Sequence, residues 1–556
     1  MPQPTRDTHV TLPADTNQAL GLARYAIDFM TGAPAIAGDP DPAVLDRTDL
    51  FHTDACLCGI SAIALGTNAP TLLRDEALQY RLAPAGFGTL AGAPWAAKGA
   101  TVRPGATVFG SSVDVAVEKA VAANSAAVRE WDSNGTNFGY NPALGHVAGE
   151  FGHNDFYPVP LAAARMRGRD GAYALRGMVL VDEIRGRLAE VFSLKTYKID
   201  HVLHGAIASA ATFGAMMGAT AEEIESAIGM VVAHHVPFRA IRAGKQLSDS
   251  KGASAAISTE AAILCVKRSM AGFLGPRDIF RNPEAVFRIF EGPGQFFAKP
   301  GSEPDPRRLR KADASPFELV LGRAGDDFAV MGMHFKLGLY EHQSAGALQG
   351  LIDLINAHPH LLEGGGRRIA RIVVRAYEPA FGIIGDPAKR DPKTRQSADH
   401  SMLYLVCTKL RKAIDLAAQG RFTTAGFKEL MLLPHDFDAL AIAHPLTRAL
   451  MAKMAFEHGG PDYDAKYPDG IPTSVVITDD AGRVHDSGLV MYPAGHARNT
   501  VADLRDILSH KFHALAALAS EHPPSIIDRL SALGRKPAAA VDTLLDFPLA
   551  RRGRFE

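Results

Sequence analysis

The stretch from His204 to Met217, HGAIASAATFGAMM, constrains the fold more than any other part of the chain. Almost every side chain in it is small or apolar, so as a helix it has no face fit for water. Ala, Gly and Ser at this density let neighbouring backbones approach closely, which suits close helix packing in a compact helical domain. The surrounding sequence supplies the other helices. Thr53–Leu65, Val113–Trp131 and Gly252–Met270 are also Ala-rich and apolar. Asn17–Met30 carries an apolar face of Leu20, Leu22, Ala23, Ile27 and Phe29. Thr220 followed by Glu223 is a capping box that opens a helix running to about Ala233. The first half therefore reads as one large all-helical domain.

Around 290–315 the composition changes. GPGQFFAKPGSEPDPRRLRKADASP is rich in Pro, Gly and charge, and reads as a linker or long surface loop. Strand signals begin beyond it, at Phe317–Leu321, Arg367–Tyr377 and a hairpin across Pro472–Tyr492 that turns at Asp479-Asp480-Ala481-Gly482. Helices are expected between them at Ser344–Ala357 and Ser401–Ala418, and Gly364-Gly365-Gly366 is expected at a loop tip. The expected fold class is α + α/β: a large all-helical domain with a smaller α+β lid domain. The expected boundaries are a flexible N-terminal arm over 1–16, a helical domain over 17–315, the lid over 316–498, and C-terminal helices over 499–556 that return to the helical domain.

Several classes of function are disfavoured. Lys plus Arg number 59 against 60 Asp plus Glu, so no global field draws nucleic acid or an anionic membrane. No run approaches about 18 apolar residues, and the N-terminus lacks a signal pattern. Four cysteines in 556 residues make no disulfide framework. Cys265 and Cys407 sit in apolar runs; Cys56 and Cys58 read as packing rather than metal ligands, and a reducing cytoplasm fits. No H-E-x-x-H, closed Cys/His set, Walker loop or strand-linked G-x-G-x-x-G is present, so neither metal nor organic cofactor is expected.

Two regions could carry chemistry, the first of them in two pieces. Trp131-Asp132-Ser133-Asn134-Gly135-Thr136 and Gly152-His153-Asn154-Asp155 combine polar groups with turn formers after a helix. They suit either a binding loop or a self-satisfied helix end. The second is VPFRAIRAGKQLSDSKGAS, with Arg239, Arg242, Lys245 and Lys251. Lys251 begins a helix, where a cation opposes the macrodipole. Either it is a solvated surface lysine, or an anion shared with the helix amides removes the conflict. His201, His204, His234, His235, His342 and His400 lie at helix or loop edges.

These pieces, in order, resemble one family. NSAAVREWDSNGT, GEFGHND, KIDHVLHGAIASAATFGAMMG, RAIRAGKQLSDSKGASAA, YEHQSA and TRQSADHSMLYLV are similar to motifs of the 2-methylcitrate dehydratases, cis-aconitate decarboxylases and iminodisuccinate epimerases. The likeness runs from about residue 20 to the C-terminus. This chain departs by reading Trp-Asp-Ser-Asn-Gly-Thr where the family usually has Leu-Asp-Phe-Asp-Asp-Thr, and its Thr136–His153 loop is longer than expected.

The resemblance implies a helical domain and a lid with the active site between them, a homodimer, and no cofactor. It places Asp132, Thr136, His153, Lys251, His342 and Tyr404 at active-site positions, with His201 as a seventh. The implied activity is hydro-lyase chemistry on a small hydroxy-polycarboxylate. His153 is expected as base, His201 or His342 as acid, Asp132 to orient a histidine, and Lys251 and Arg242 to anchor carboxylates. Thr136, His400 and Tyr404 are expected to contact substrate. Decarboxylation or epimerisation of a related acid stays open, as does a non-catalytic small-acid binder; a metal-dependent enzyme is a more distant reading.

Overall fold

The computed structural model describes residues 7–82, 103–146, 152–242, 247–290, 313–385 and 387–555. Most of the expected 290–315 linker lies outside these residues, as do 147–151 and 243–246.

Val202–Met217 is a helix whose every side chain is buried. It packs against Gly171–Val191, Ser254–Met270, Ala221–His234, Pro158–Met166 and Gln18–Thr31. The close approach is literal: a Cβ at Gly205 would fall within 2.4 Å of the Phe156 ring. Thr220 and Glu223 form the expected capping box. Pro42–Ala64 is longer than expected at its N-terminal end and packs on Val117–Arg129 and on the C-terminal helix Leu504–Ala519.

Gly171–Val191 has no counterpart in the sequence reading. It buries Asp182, Glu183, Arg185, Arg187 and Glu190, so its apolar periodicity is broken. Those charges pair internally, Arg187 with Glu183 at 2.8 Å and Glu190 at 3.1 Å. Burial of charge requires such pairing.

The N-terminal segment is not a free arm throughout. His9–Leu12 is a strand, antiparallel to Leu319–Gly322. Gln18 holds the pair by donating to the carbonyls of Leu12 and Phe317 at 3.0 and 2.9 Å. The strand expected at Phe317–Leu321 thus joins the N-terminus rather than the later sheet.

That later sheet has four strands in the order Val484–Asp486, Thr473–Asp479, Ile369–Ala376, Met454–His458. The first three are antiparallel neighbours and the last pairs parallel to Ile369–Ala376. Met454–His458 was not anticipated; MAFEH is short and polar at one end, as an edge strand is. Ala345–Ala357 and Met402–Ala418 form as expected, and the first lies on the Thr473–Asp479 strand. Among the described residues no single helix is long and apolar enough to cross a membrane.

Candidate active site

The Val117–Arg129 helix ends where small residues give way to Arg129-Glu130-Trp131-Asp132. Trp131 anchors the exit by donating from Nε1 to Ser61 Oγ at 2.9 Å. Asp132 then takes φ +50°, a left-handed conformation that Asp tolerates better than most residues. Gly135 follows because a Cβ there would meet the Phe51 ring at 2.4 Å. Thr136 pairs with His153 on one side and His334 on the other, through N–H···O bonds of 3.0 and 2.7 Å with His334. This small pairing brings three remote segments together and sets Lys336 two residues beyond the bridge.

The result is a buried hub on Asp132. Its carboxylate accepts from the Arg129 guanidinium and the Lys336 ammonium, and from Lys251 Nζ at 3.3 Å; His400 Nε2 lies 3.1 Å away. Asp399 closes the other side, 2.5 Å from His400 Nδ1 and 3.6 Å from Lys251 Nζ. Arg129 reaches onward to His153 Nε2 at 3.3 Å and Asp155 at 3.6 Å. His153 and His201 meet edge to face with ring centroids 5.3 Å apart.

Lys251 is therefore not a surface lysine: it is 2% exposed. The anions that answer it are the chain's own Asp132 and Asp399. It sits in a short turn, Asp249–Gly252, ahead of the Ser254–Met270 helix.

The outer parts are held from several directions. Lys511, on the C-terminal helix, donates to the carbonyls of Ser133 at 2.7 Å and Lys336 at 2.9 Å while pairing with Asp54 at 2.6 Å. Phe335 stacks on Phe51 at 3.8 Å. Glu341 donates its backbone N–H to the Asp399 carbonyl at 2.9 Å, which places His342 at the rim. His342 stacks on His334 at 5.0 Å and packs on Phe138 at 5.6 Å. Beside His334 lies a pocket of about 280 Å³, lined in part by Asn137, Tyr140, His496 and Arg498.

Burial and charge set the protonation states. Burial opposes ionisation of Asp132, but Arg129, Lys251, Lys336 and His400 outweigh it and hold its pKa well below the carboxylate range. Burial pulls Lys251 and Lys336 down, with Asp132 only partly restoring each. Burial, with Arg129 and Lys336 nearby, keeps His153 neutral at pH 7. Burial likewise lowers His201 against the opposing pull of Asp200, and lowers His342 with His496 and Lys336 adding to it. Burial and the negative charge of Asp132 push Glu341 up to about 7, against Lys336.

Polar capacity is left over. His153 Nδ1 and both ring nitrogens of His201 and His342 are buried without hydrogen-bond partners. His201 Nδ1 is 3.5 Å from Asp200 but not aligned for a bond. Arg129, Lys251 and Lys336 together carry more N–H groups than the hub's carboxylates occupy. Orphaned groups at this density, in one place, suit a polar ligand.

Asp132, His153, His201, Lys251 and His400 thus meet, with His342 at the edge. Thr136 is beside His153, but its hydroxyl donates to the Gly152 carbonyl at 2.8 Å. Arg242 is engaged by Asp200, at 3.1 Å through one nitrogen and closer through Nε, so it supports the residue before His201 rather than standing free. Tyr404 does not join the hub. Its amide is capped by Ser401, and its hydroxyl donates to the Asp436 carbonyl at 2.5 Å.

Arg129, Lys336 and Asp399 were missed. Arg129 stands three residues before Asp132, the spacing of a helical ion pair, and Lys336 is a lone cation in an apolar run. Both signals were readable, but neither named its partner.

Fold and site together define a mostly helical protein with small sheets and a buried acid–base and cation centre assembled from segments far apart in sequence. Residues 89–297 match the MmgE/PrpD N-terminal domain and residues 340–529 the MmgE/PrpD C-terminal domain. The chain belongs to the MmgE/PrpD family. It is similar to the 2-methylcitrate dehydratase of Cupriavidus necator, with 24% identity over 521 residues that cover 87% of this chain and 92% of that protein. The 2-methylcitrate dehydratase of Salmonella typhi is 23% identical over 420 residues, 72% and 75% of the two chains. That of Escherichia coli (strain K12) is 25% identical over 334 residues, 58% and 59%.

Proposed function

We propose that the chain is a hydro-lyase that removes water from a small hydroxy-polycarboxylate, resembling 2-methylcitrate dehydratase and using acid–base chemistry without a cofactor. The observation that carries this reading is the buried hub itself, where three cations share the Asp132 carboxylate beside neutral histidines with unused nitrogens.

Elimination of water needs a base for the proton α to a carboxylate and an acid for the departing hydroxyl. Negative charge develops in the carboxylate as the proton leaves, and fixed donors must already face it. The spare N–H groups of Lys251, Lys336 and Arg129 supply such donors. Asp132 keeps these cations ionised despite their burial. His153, held neutral, takes the proton at Nε2, the nitrogen that the Arg129 N–H faces at 3.3 Å and from which substrate must displace it; His201 or His342 returns one to the leaving oxygen. A bound polycarboxylate adds negative charge and raises the histidine pKa values toward the working range. Arg242 acts through Asp200 to position His201. The smaller α+β part serves as the lid that excludes water, and the working unit is a homodimer.

A screen of di- and tricarboxylates in deuterated buffer, read by NMR for product and label, tests this. Loss of water with exchange of the α proton is the expected result. Loss of carbon dioxide, or label without net change, would move the reaction to decarboxylation or epimerisation. Tight binding with neither turnover nor exchange would leave a binding protein and overturn the proposal.

A further inference from the structure

We propose a zinc site at the far edge of the four-stranded sheet, formed by His360, Asp479 and His485, with water completing it. None of these residues belongs to the Asp132 hub.

His358 caps the Ala345–Ala357 helix, and His360 follows in the 359–366 turn that leads into the Ile369–Ala376 strand. Asp479 ends the Thr473–Asp479 strand opposite Ile369, and His485 lies across the hairpin on Val484–Asp486. The sheet thus brings an H-x-H pair to a D-x5-H hairpin tip. The ligand atoms of His360, Asp479 and His485 all lie within 4.8 Å of one another. His485 Nε2 is 3.2 Å and His360 Nε2 3.8 Å from Asp479 Oδ2. Tetrahedral zinc with bonds of about 2.1 Å requires ligand atoms roughly 3.4 Å apart, a value that lies between these distances. The His358 ring centre is 4.4 Å from that of His485 and 6.1 Å from that of His360, so its ring lies beside the three-residue cluster without being one of its members.

Two details favour a cation over a self-contained turn. Asp479 Oδ1 already satisfies the turn by accepting from the backbone of Ala481 and Arg483 at 2.9 Å each, so Oδ2 is not needed there. His360 Nε2 is buried with no hydrogen-bond partner. Arg483 Nε occupies Oδ2 at 2.7 Å, but its side chain is 64% exposed and can leave at little cost. Neutral imidazole and carboxylate are donors that zinc favours. Bound there, the ion ties the approach to the central strand to the hairpin tip and stiffens the sheet.

The test uses the full chain, stripped by chelator and titrated with zinc chloride by calorimetry, with cobalt(II) as a spectroscopic probe of tetrahedral geometry. The expected result is close to one equivalent of zinc per chain and a raised thermal midpoint. The His360→Gln/His485→Gln variant should bind at least roughly 100-fold more weakly. The single variant His360→Gln removes an imidazole whose Nε2 has no partner, so it should retain the metal-free fold and also lose affinity. Absence of stoichiometric binding overturns the proposal, as does binding retained in the double variant, which would put the ion elsewhere, for example at Asp132, Asp399 and His400.

Discussion

Asp132→Asn removes one charge and little else. Asn accepts the left-handed backbone at this position and has nearly the same shape, so strain and packing stay as they are. What changes is that Arg129, Lys251 and Lys336 lose their common counter-ion in a site with essentially no water contact. At an effective dielectric constant of about 20, a unit pair at the 3.3 Å of Lys251 is worth about 5 kcal/mol. Deprotonation limits the penalty. Neutralising a lysine of ordinary pKa about 10.4 at pH 7 costs about 5 kcal/mol, so one uncompensated lysine can cost no more than that. Both routes agree with the roughly 3–5 kcal/mol typical of a broken buried pair. The sign with pH follows. In the variant the lysine pKa values fall further below their unfolded value, so stability returns as pH rises toward about 10. Urea unfolding at pH 7 and pH 9 should show a deficit of about 3–5 kcal/mol that shrinks at the higher pH. A deficit under about 1 kcal/mol, or one indifferent to pH, would refute the hub as a charge-compensated unit.

His153→Ala should lower turnover by about 100-fold with little change in unfolding midpoint, and near-normal turnover would remove it as the base. Tyr404→Phe should cost about 1 kcal/mol of stability through the lost bond to the Asp436 carbonyl, with turnover kept; loss of turnover alone would return Tyr404 to the site. Lys511→Met should destabilise by about 3–5 kcal/mol, since Asp54 is left buried without its partner, and wild-type unfolding midpoints would contradict that. Burial holds His52 to about 4, His204 to about 3 and His496 to about 4. Because these folded values lie below the unfolded one, stability is full above about pH 6.5 and falls as pH drops, by up to about 2 kcal/mol for each imidazole at pH 5. A flat thermal midpoint between pH 7 and 5 would contradict this.

Elements whose signals lie within a turn or two of chain were legible in the residues alone. Thr220 and Glu223 satisfy each other within one turn, so the capping box was legible. The Ala-, Gly- and Ser-dense run at 204–217 signalled close helix packing, and the helix there packs on five others. The alternation in Ile369–Ala376 and the turn after Asp479 marked a sheet. The motif order brought Asp132, His153, His201, Lys251 and His400 to notice together.

Tertiary structure alone decided what pairs with what. The Gly171–Val191 helix was illegible because its charges are buried in mutual pairs, which erases the amphipathic pattern. His9–Leu12 is a strand only because Leu319–Gly322 lies beside it. Lys336 became part of the hub through the bridge that joins Thr136 to His334, a contact no spacing could announce. Arg242 and Tyr404 went elsewhere for the same reason: a side chain's partner is set by which backbone packs next to it, and that is a property of the whole chain.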